Sequence, residues 1–158
     1  MFAITTSGRG ALIWFLIGLI VAIRYRDLGV FWRLTLSILL SVLVVDGFMK
    51  PIFARQRPYE AHVIKTEETY PRPNSASFPS GHAASSAAGA YAISRVIPKA
   101  SISLWALAAL ISVSRVYLGI HFASDIAAGL LVGLVIGLFA TGGMIYSRVH
   151  EVKPHRSD

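Results

Sequence analysis

Three short clusters hold the residues of this chain that could do chemistry: K-P-I-F-A-R-Q-R-P at 50–58, P-S-G-H at 79–82 and S-R-V-Y-L-G-I-H-F-A-S-D at 114–125. Besides Arg55, they supply three cations in Lys50, Arg57 and Arg115, and two histidines in His82 and His121. Asp125 follows His121 by four residues, and Ser80 and Gly81 stand at the start of an apolar run. Cations, hydroxyls and backbone donors suit an oxyanion, in particular a phosphate group. Two-metal chemistry needs several carboxylates and histidines close together, and the clusters with their near flank offer only Asp46 and Asp125 beside these cations. Neither a metal nor another cofactor is expected.

Each cluster also has an ordinary structural role. Asp46 and Lys50 are four apart at the end of an apolar segment, a spacing that forms a local ion pair on a helix. Arg57-Pro58 is a serviceable helix stop, and Arg55 reads as a surface cation. Ser80 is a natural N-cap. The same helix start presents unpaired N–H groups and a partial positive charge to an anion, with Gly81 leaving room for close approach. His82 then falls on the first helical turn. His121 and Asp125 share one helical face. A carboxylate on one ring nitrogen fixes the tautomer, leaves the other nitrogen as a lone pair and stabilises the imidazolium formed on attack, which makes His121 a candidate nucleophile.

The three clusters resemble the motifs K-x6-R-P, P-S-G-H and S-R-x5-H-x3-D of the type 2 phosphatidic acid phosphatase superfamily, matched without substitution at Lys50, Arg57 and Pro58, at Pro79 to His82, and at Ser114, Arg115, His121 and Asp125. The resemblance implies a metal-independent lipid phosphate phosphatase. It implies in-line attack of His121 on phosphorus, with His82 protonating the leaving oxygen and later activating water. Lys50, Arg57, Ser80, Gly81 and Arg115 would hold the phosphate oxygens, and undecaprenyl diphosphate, phosphatidylglycerol phosphate and phosphatidic acid all suit such a site. The vanadate-dependent haloperoxidases share these motifs but resemble soluble helical proteins. A catalytically silent membrane interaction protein would have no need of the histidines and cations at these spacings.

The elements that must position these residues are apolar. A mean hydropathy of +0.60, with 54% hydrophobic and 15% charged residues in 158, lies outside the norm for soluble domains. A bilayer-spanning helix takes roughly 20 mainly apolar residues. Five segments meet or approach that: 6–23, 34–49, 83–97 (stopped by Pro98), 101–118 and 122–145. The expectation is a single-domain, all-α polytopic helical bundle of about five transmembrane helices, with a polar surface loop at 59–78 over the active site. Gly129, Gly133 and Gly137, spaced by four, lay a bare stripe along the last segment where another helix can approach closely. A second copy of the chain is one expected occupant.

Five spans put all three clusters on one side of the membrane. Arg24, Arg26, Arg33, Arg95, Lys99, Arg148, Lys153 and Arg156 fall on the other, eight of the fifteen Lys and Arg. The positive-inside rule then places the C-terminus in the cytoplasm and the active site on the outer side, periplasmic in a bacterial inner membrane. The net charge of +7 is dispersed among the spans and suits anionic lipid headgroups; nucleic acid is not an expected partner. The chain contains no cysteine, which excludes disulfides and thiol catalysis.

Overall fold

The computed structural model describes residues 9–61 and 73–142. The start of the first predicted segment, residues 62–72 of the polar loop, the end of the fifth segment and the C-terminal tail lie outside the described residues. Those described form helices and connecting turns without a strand: α1 (Arg9–Tyr25), α2 (Leu28–Val42), α3 (Lys50–Phe53), α4 (Gly81–Ser94), α5 (Ser101–Tyr117) and α6 (Ala123–Ala140).

Asp27 caps α2 by accepting from the Gly29 N–H at 2.8 Å. The second apolar helix therefore begins at Leu28, six residues before the predicted Leu34. The sequence reading treated Arg33 as a flank, whereas one cation is tolerated inside a helix when its long stem follows the apolar surface. From Leu28 to Phe53 the helix is continuous for 26 residues, passing from α2 to α3 through a π-helical stretch at Leu43–Met49. Pro51 explains the widening: it has no N–H, and in a regular helix its ring would press on the carbonyl four residues back. The wide turn shifts Asp46 and Lys50 together, and their carboxylate and ammonium meet at 2.6 Å. Ala54, in the left-handed region at φ 43°, then ends the helix and turns the chain toward Arg55 and Arg57.

Three helical stretches, Leu28–Phe53, Pro98–Tyr117 and Ala123–Ala140, are long and apolar enough to cross a membrane by length and composition. Large apolar side chains cover their outer faces, with Ile102 86% and Phe139 83% exposed. The two other predicted segments fall short of a full span among the described residues. The apolar part of α1 runs Ala11–Tyr25, and the 14 residues of α4 rise only about 21 Å. α4 is the central strut, packed against α1, α2, α5 and α6. Its run of Ala, Ser and Gly lets four helices close around it, and ten of its residues are buried. Trp14 from α1 lies over Gly89, and its indole N–H reaches Ser86 Oγ at 3.2 Å.

The glycine stripe of α6 is spent inside this bundle. Gly129, Gly133 and Gly137 are buried against Ser80 and Ala83, Ala84, and Tyr91 respectively, all on or beside α4. The expectation of a homo-oligomer face is thereby corrected: the stripe does invite a helix, and α4 is that helix. A Cβ on Gly133 would sit 2.0 Å from the Ala84 carbonyl oxygen, a backbone atom that cannot swing away. Gly133→Ala is expected to destabilise by at least about 1–3 kcal/mol, the usual cost of overpacking. Gly47→Ala, whose Cβ would meet only Leu43 Cδ1 at 3.5 Å, should be tolerated. Thermal unfolding of the two variants in the same detergent checks the contrast.

Candidate active site

Three chain segments converge at one end of α4. Gly119, at φ 66°, closes α5: its N–H reaches the Val116 carbonyl at 2.9 Å, and the Ile120 N–H reaches the Arg115 carbonyl at 3.2 Å. These are the two bonds of a Schellman cap. A residue with a side chain is strained at that φ. The cap turns His121 inward, where it is 3% exposed. Asp125, in the first turn of α6, accepts from the Phe122 N–H at 2.9 Å, tying the helix start to the residue after His121. The Ser80 N–H bonds the Asp125 carbonyl at 3.0 Å, so the starts of α4 and α6 are joined.

A cavity of about 710 Å³ opens there, with Lys50, Arg55, Arg57, Gly81, His82 and His121 in its wall. Glu60, Pro73, Asn74, Ser75 and Ala76 complete one side, so the described ends of the predicted 59–78 loop do lie beside the site. Of the candidate residues, Lys50, Arg57, Gly81, His82 and His121 reach the cavity. Ser80, Arg115 and Asp125 are fully buried behind that wall. Ser80 Oγ caps α4, accepting from the Ala83 N–H at 3.4 Å.

Arg57 is committed to the scaffold. Its guanidinium donates to the Ser75 carbonyl at 2.8 Å, the Ile120 carbonyl at 2.9 Å, Ser75 Oγ at 3.2 Å and the Ala76 carbonyl at 3.3 Å. That engages four of the five donors of a guanidinium. It binds the segment before P-S-G-H to the corner before His121. Lys50 is held by Asp46 and lies 3.4 Å from Ser75 Oγ.

His121 Nδ1 lies 3.4 Å from Asp125 Oδ2, as the spacing of four predicted. Two contacts on this pair escaped the sequence reading. Arg55, read as a surface cation, donates to Asp125 Oδ1 at 2.8 Å and to Ser124 Oγ at 2.7 Å. Ser77 Oγ bonds Asp125 Oδ2 and stands 3.4 Å from His121 Nδ1. No local spacing signals either one, because they reach Asp125 across 70 and 48 residues.

Burial lowers the basicity of His121, partly offset by its hydrogen bond to Asp125 and reinforced by nearby Arg57. The neutral ring is thereby favoured. His82, in the first turn of α4 and just ahead of the apolar segment 83–97, is lowered to about 3, first by burial and then by Arg115, His121, Lys50 and Arg57. Its Nε2 is buried with no hydrogen-bond partner. A bound phosphate would reverse this balance, because an anion beside the ring favours imidazolium. Among the described residues no group of three or more His, Cys, Asp and Glu is placed to hold a metal ion.

Residues 30–148 match the sequence profile of the PAP2 superfamily. The chain is 36% identical over 122 residues to a lipid A 4'-phosphatase of Porphyromonas gingivalis, covering 71% of this chain and 51% of that protein. It is 34% identical over 119 residues to an undecaprenyl-diphosphatase of Sulfolobus acidocaldarius, covering 73% and 54%. A phosphatidylglycerophosphatase B of Bacillus subtilis is 32% identical over 129 residues, covering 71% and 60%. The chain thus spans about half the length of the curated relatives it matches. Its fold is similar to the crystal structure of a transmembrane PAP2 type phosphatidylglycerolphosphate phosphatase from Bacillus subtilis, at a TM-score of 0.66 and 25% identity, over 96% of this chain and 74% of that one.

Proposed function

The chain belongs to the PAP2 superfamily, and from that premise we propose that it is an integral membrane phosphatase cleaving a lipid phosphate monoester or diphosphate through a phosphohistidine on His121. The observation that carries the reading is the His121–Asp125 pair at the wall of a cavity where the unpartnered Nε2 of His82 is also buried. Nδ1, beside the carboxylate, keeps its proton. Nε2 attacks phosphorus, a P–N bond forms and the bond to the leaving oxygen breaks. His82 gives that oxygen a proton, then takes one from the water that cleaves the P–N bond and regenerates His121.

The transition state spreads charge over three equatorial oxygens. Lys50, Gly81 and the N–H groups at the start of α4 can reach them from the cavity wall. Arg115, fully buried beside His82, adds positive potential from behind. Arg57 would serve mainly by holding the two loops that frame the phosphate, releasing donors to it only if the loop carbonyls rearrange. All of this requires fixed cations and no divalent ion.

A cavity at helix ends admits a headgroup while the acyl or prenyl chain remains in the bilayer. The whole chain is the single catalytic domain of this reading, with α1 and α4 completing a bundle of five spans around the site. The basic residues opposite the site favour an outward-facing active site. Purified protein in detergent should release phosphate from phosphatidic acid, phosphatidylglycerol phosphate or undecaprenyl diphosphate, undiminished by excess EDTA and inhibited by vanadate, a trigonal-bipyramidal mimic of the transition state. Activity lost on chelation and restored by magnesium or zinc would overturn the cation-based reading.

A further inference from the structure

We propose that Arg55, at one of the unspecified positions of K-x6-R-P, and Ser77, outside the three motifs, are positioning residues that lock the Asp125 carboxylate so that Oδ2 faces His121; the inference rests on reading His121 as the nucleophile. A terminal carboxylate torsion is soft, so one contact does not fix which oxygen faces the ring. Here both oxygens are held, and from different chain segments. Arg55 Nη1 takes Oδ1 at 2.8 Å; Ser77 Oγ and the Phe122 N–H take Oδ2.

The two residues are also fixed to each other. The Arg55 carbonyl accepts from the Ser77 N–H at 2.8 Å, so their main chains pair and both side chains end on Asp125. The Arg55 guanidinium lies 4.1 Å from the centre of the Phe122 ring, within cation–π range, and Nη1 also donates to Ser124 Oγ at 2.7 Å. The loop after α3 and the lead-in to P-S-G-H are thereby both clasped onto the first turn of α6.

Ser77 completes the arrangement at the ring. Fully buried, its hydroxyl gives its single hydrogen to Oδ2 and turns a lone pair toward His121 Nδ1, 3.4 Å away. Nδ1 thus faces two acceptors, Oδ2 and Ser77 Oγ, and no donor. This selects the Nδ1–H tautomer and leaves Nε2 as the lone pair directed away from Asp125. Without Arg55, Oδ1 has no charged donor and the carboxylate can rotate away. Without Ser77, Nδ1 has only the long contact to Oδ2.

The test uses the full chain in detergent, with Arg55→Ala, Arg55→Lys and Ser77→Ala, and dioctanoyl phosphatidic acid as the probe. Arg55→Ala should lower kcat about 10- to 100-fold, by analogy with the loss on removing an outer-shell partner that orients a metal-ligating side chain, with KM changed less than about threefold. Arg55 is 38% exposed and lines the cavity, so millimolar guanidinium should recover part of that loss in Arg55→Ala but none in Ser77→Ala. Arg55→Lys should lie between wild type and alanine. A raised KM at unchanged kcat would make Arg55 a phosphate ligand and overturn the proposal; so would a loss without rescue that tracks a lower Tm.

The clamp is also testable without turnover. Nitrogen-15 NMR of histidine-labelled protein, with His121 assigned by its absence in His121→Ala, should show the Nδ1–H tautomer in wild type and a mixture in Arg55→Ala and Ser77→Ala. An unchanged tautomer in both variants refutes the clamp even in an active phosphatase. An inactive wild type with the predicted tautomer change refutes the phosphatase reading and leaves the clamp standing.

Discussion

Replacing His121 with alanine is expected to abolish phosphate release while leaving the bundle folded. The ring sits at the cavity wall on a corner set by the Gly119 Schellman cap, and its removal breaks neither bond of that cap. The fall in kcat should exceed about a thousandfold, which corresponds to ~4 kcal/mol of barrier. Among the described residues, no other side chain in the wall combines a ring-nitrogen lone pair with a carboxylate partner. Because burial lowers the His121 pKa, the ring stays unprotonated as pH falls through 6.5, so the acid limb of kcat/KM, which reports the free enzyme, should lie below that value. Steady-state assays of wild type and His121→Ala across pH check both statements. An acid limb well above 6.5 would mean that another group controls the nucleophile.

The second large effect belongs to His82. Its Nε2 is a buried polar atom without a partner among the described residues, a costly arrangement unless a leaving oxygen or a water supplies the partner during turnover. His82→Gln keeps a polar side chain of similar reach but cannot shuttle a proton. It should lower kcat on a lipid monoester by about 100- to 10,000-fold, the usual worth of general acid–base catalysis. Formation of the phosphoenzyme from an aryl phosphate, whose leaving group needs no proton, should suffer much less than its hydrolysis. Comparing the two substrates in rapid-quench experiments separates these steps. Equal losses on both would assign His82 to phosphate binding and not to proton transfer.

The parts of this architecture legible in the sequence are those encoded locally. The His121–Asp125 pair follows from a spacing of four at a helix start, the Asp46–Lys50 pair from the same spacing at a helix end, and the capping of α4 from Ser80 before Gly81. The apolar runs locate five helices, although Arg33 hid the first turns of α2 and the small residues of α4 concealed how buried it is. What escaped is long-range. The glycine stripe of α6 announces a close neighbour without saying which, and α4 rather than a second copy takes the place. Arg57 looks in sequence like a phosphate ligand, yet its guanidinium is bound by carbonyls at 75, 76 and 120, acceptors that carry no side-chain signature. Arg55 and Ser77 meet Asp125 only because three loops close over one end of α4.

The chemical identity of the phosphorylated residue tests this account most directly. Protein quenched in denaturant at alkaline pH within milliseconds of mixing with substrate, then digested and analysed by mass spectrometry, should carry an acid-labile, base-stable phosphoramidate on His121. It should be absent from His121→Ala and, with an aryl phosphate as substrate, enriched in His82→Gln. Phosphate recovered on any other residue, or no phosphoenzyme in protein that turns over, would contradict the account.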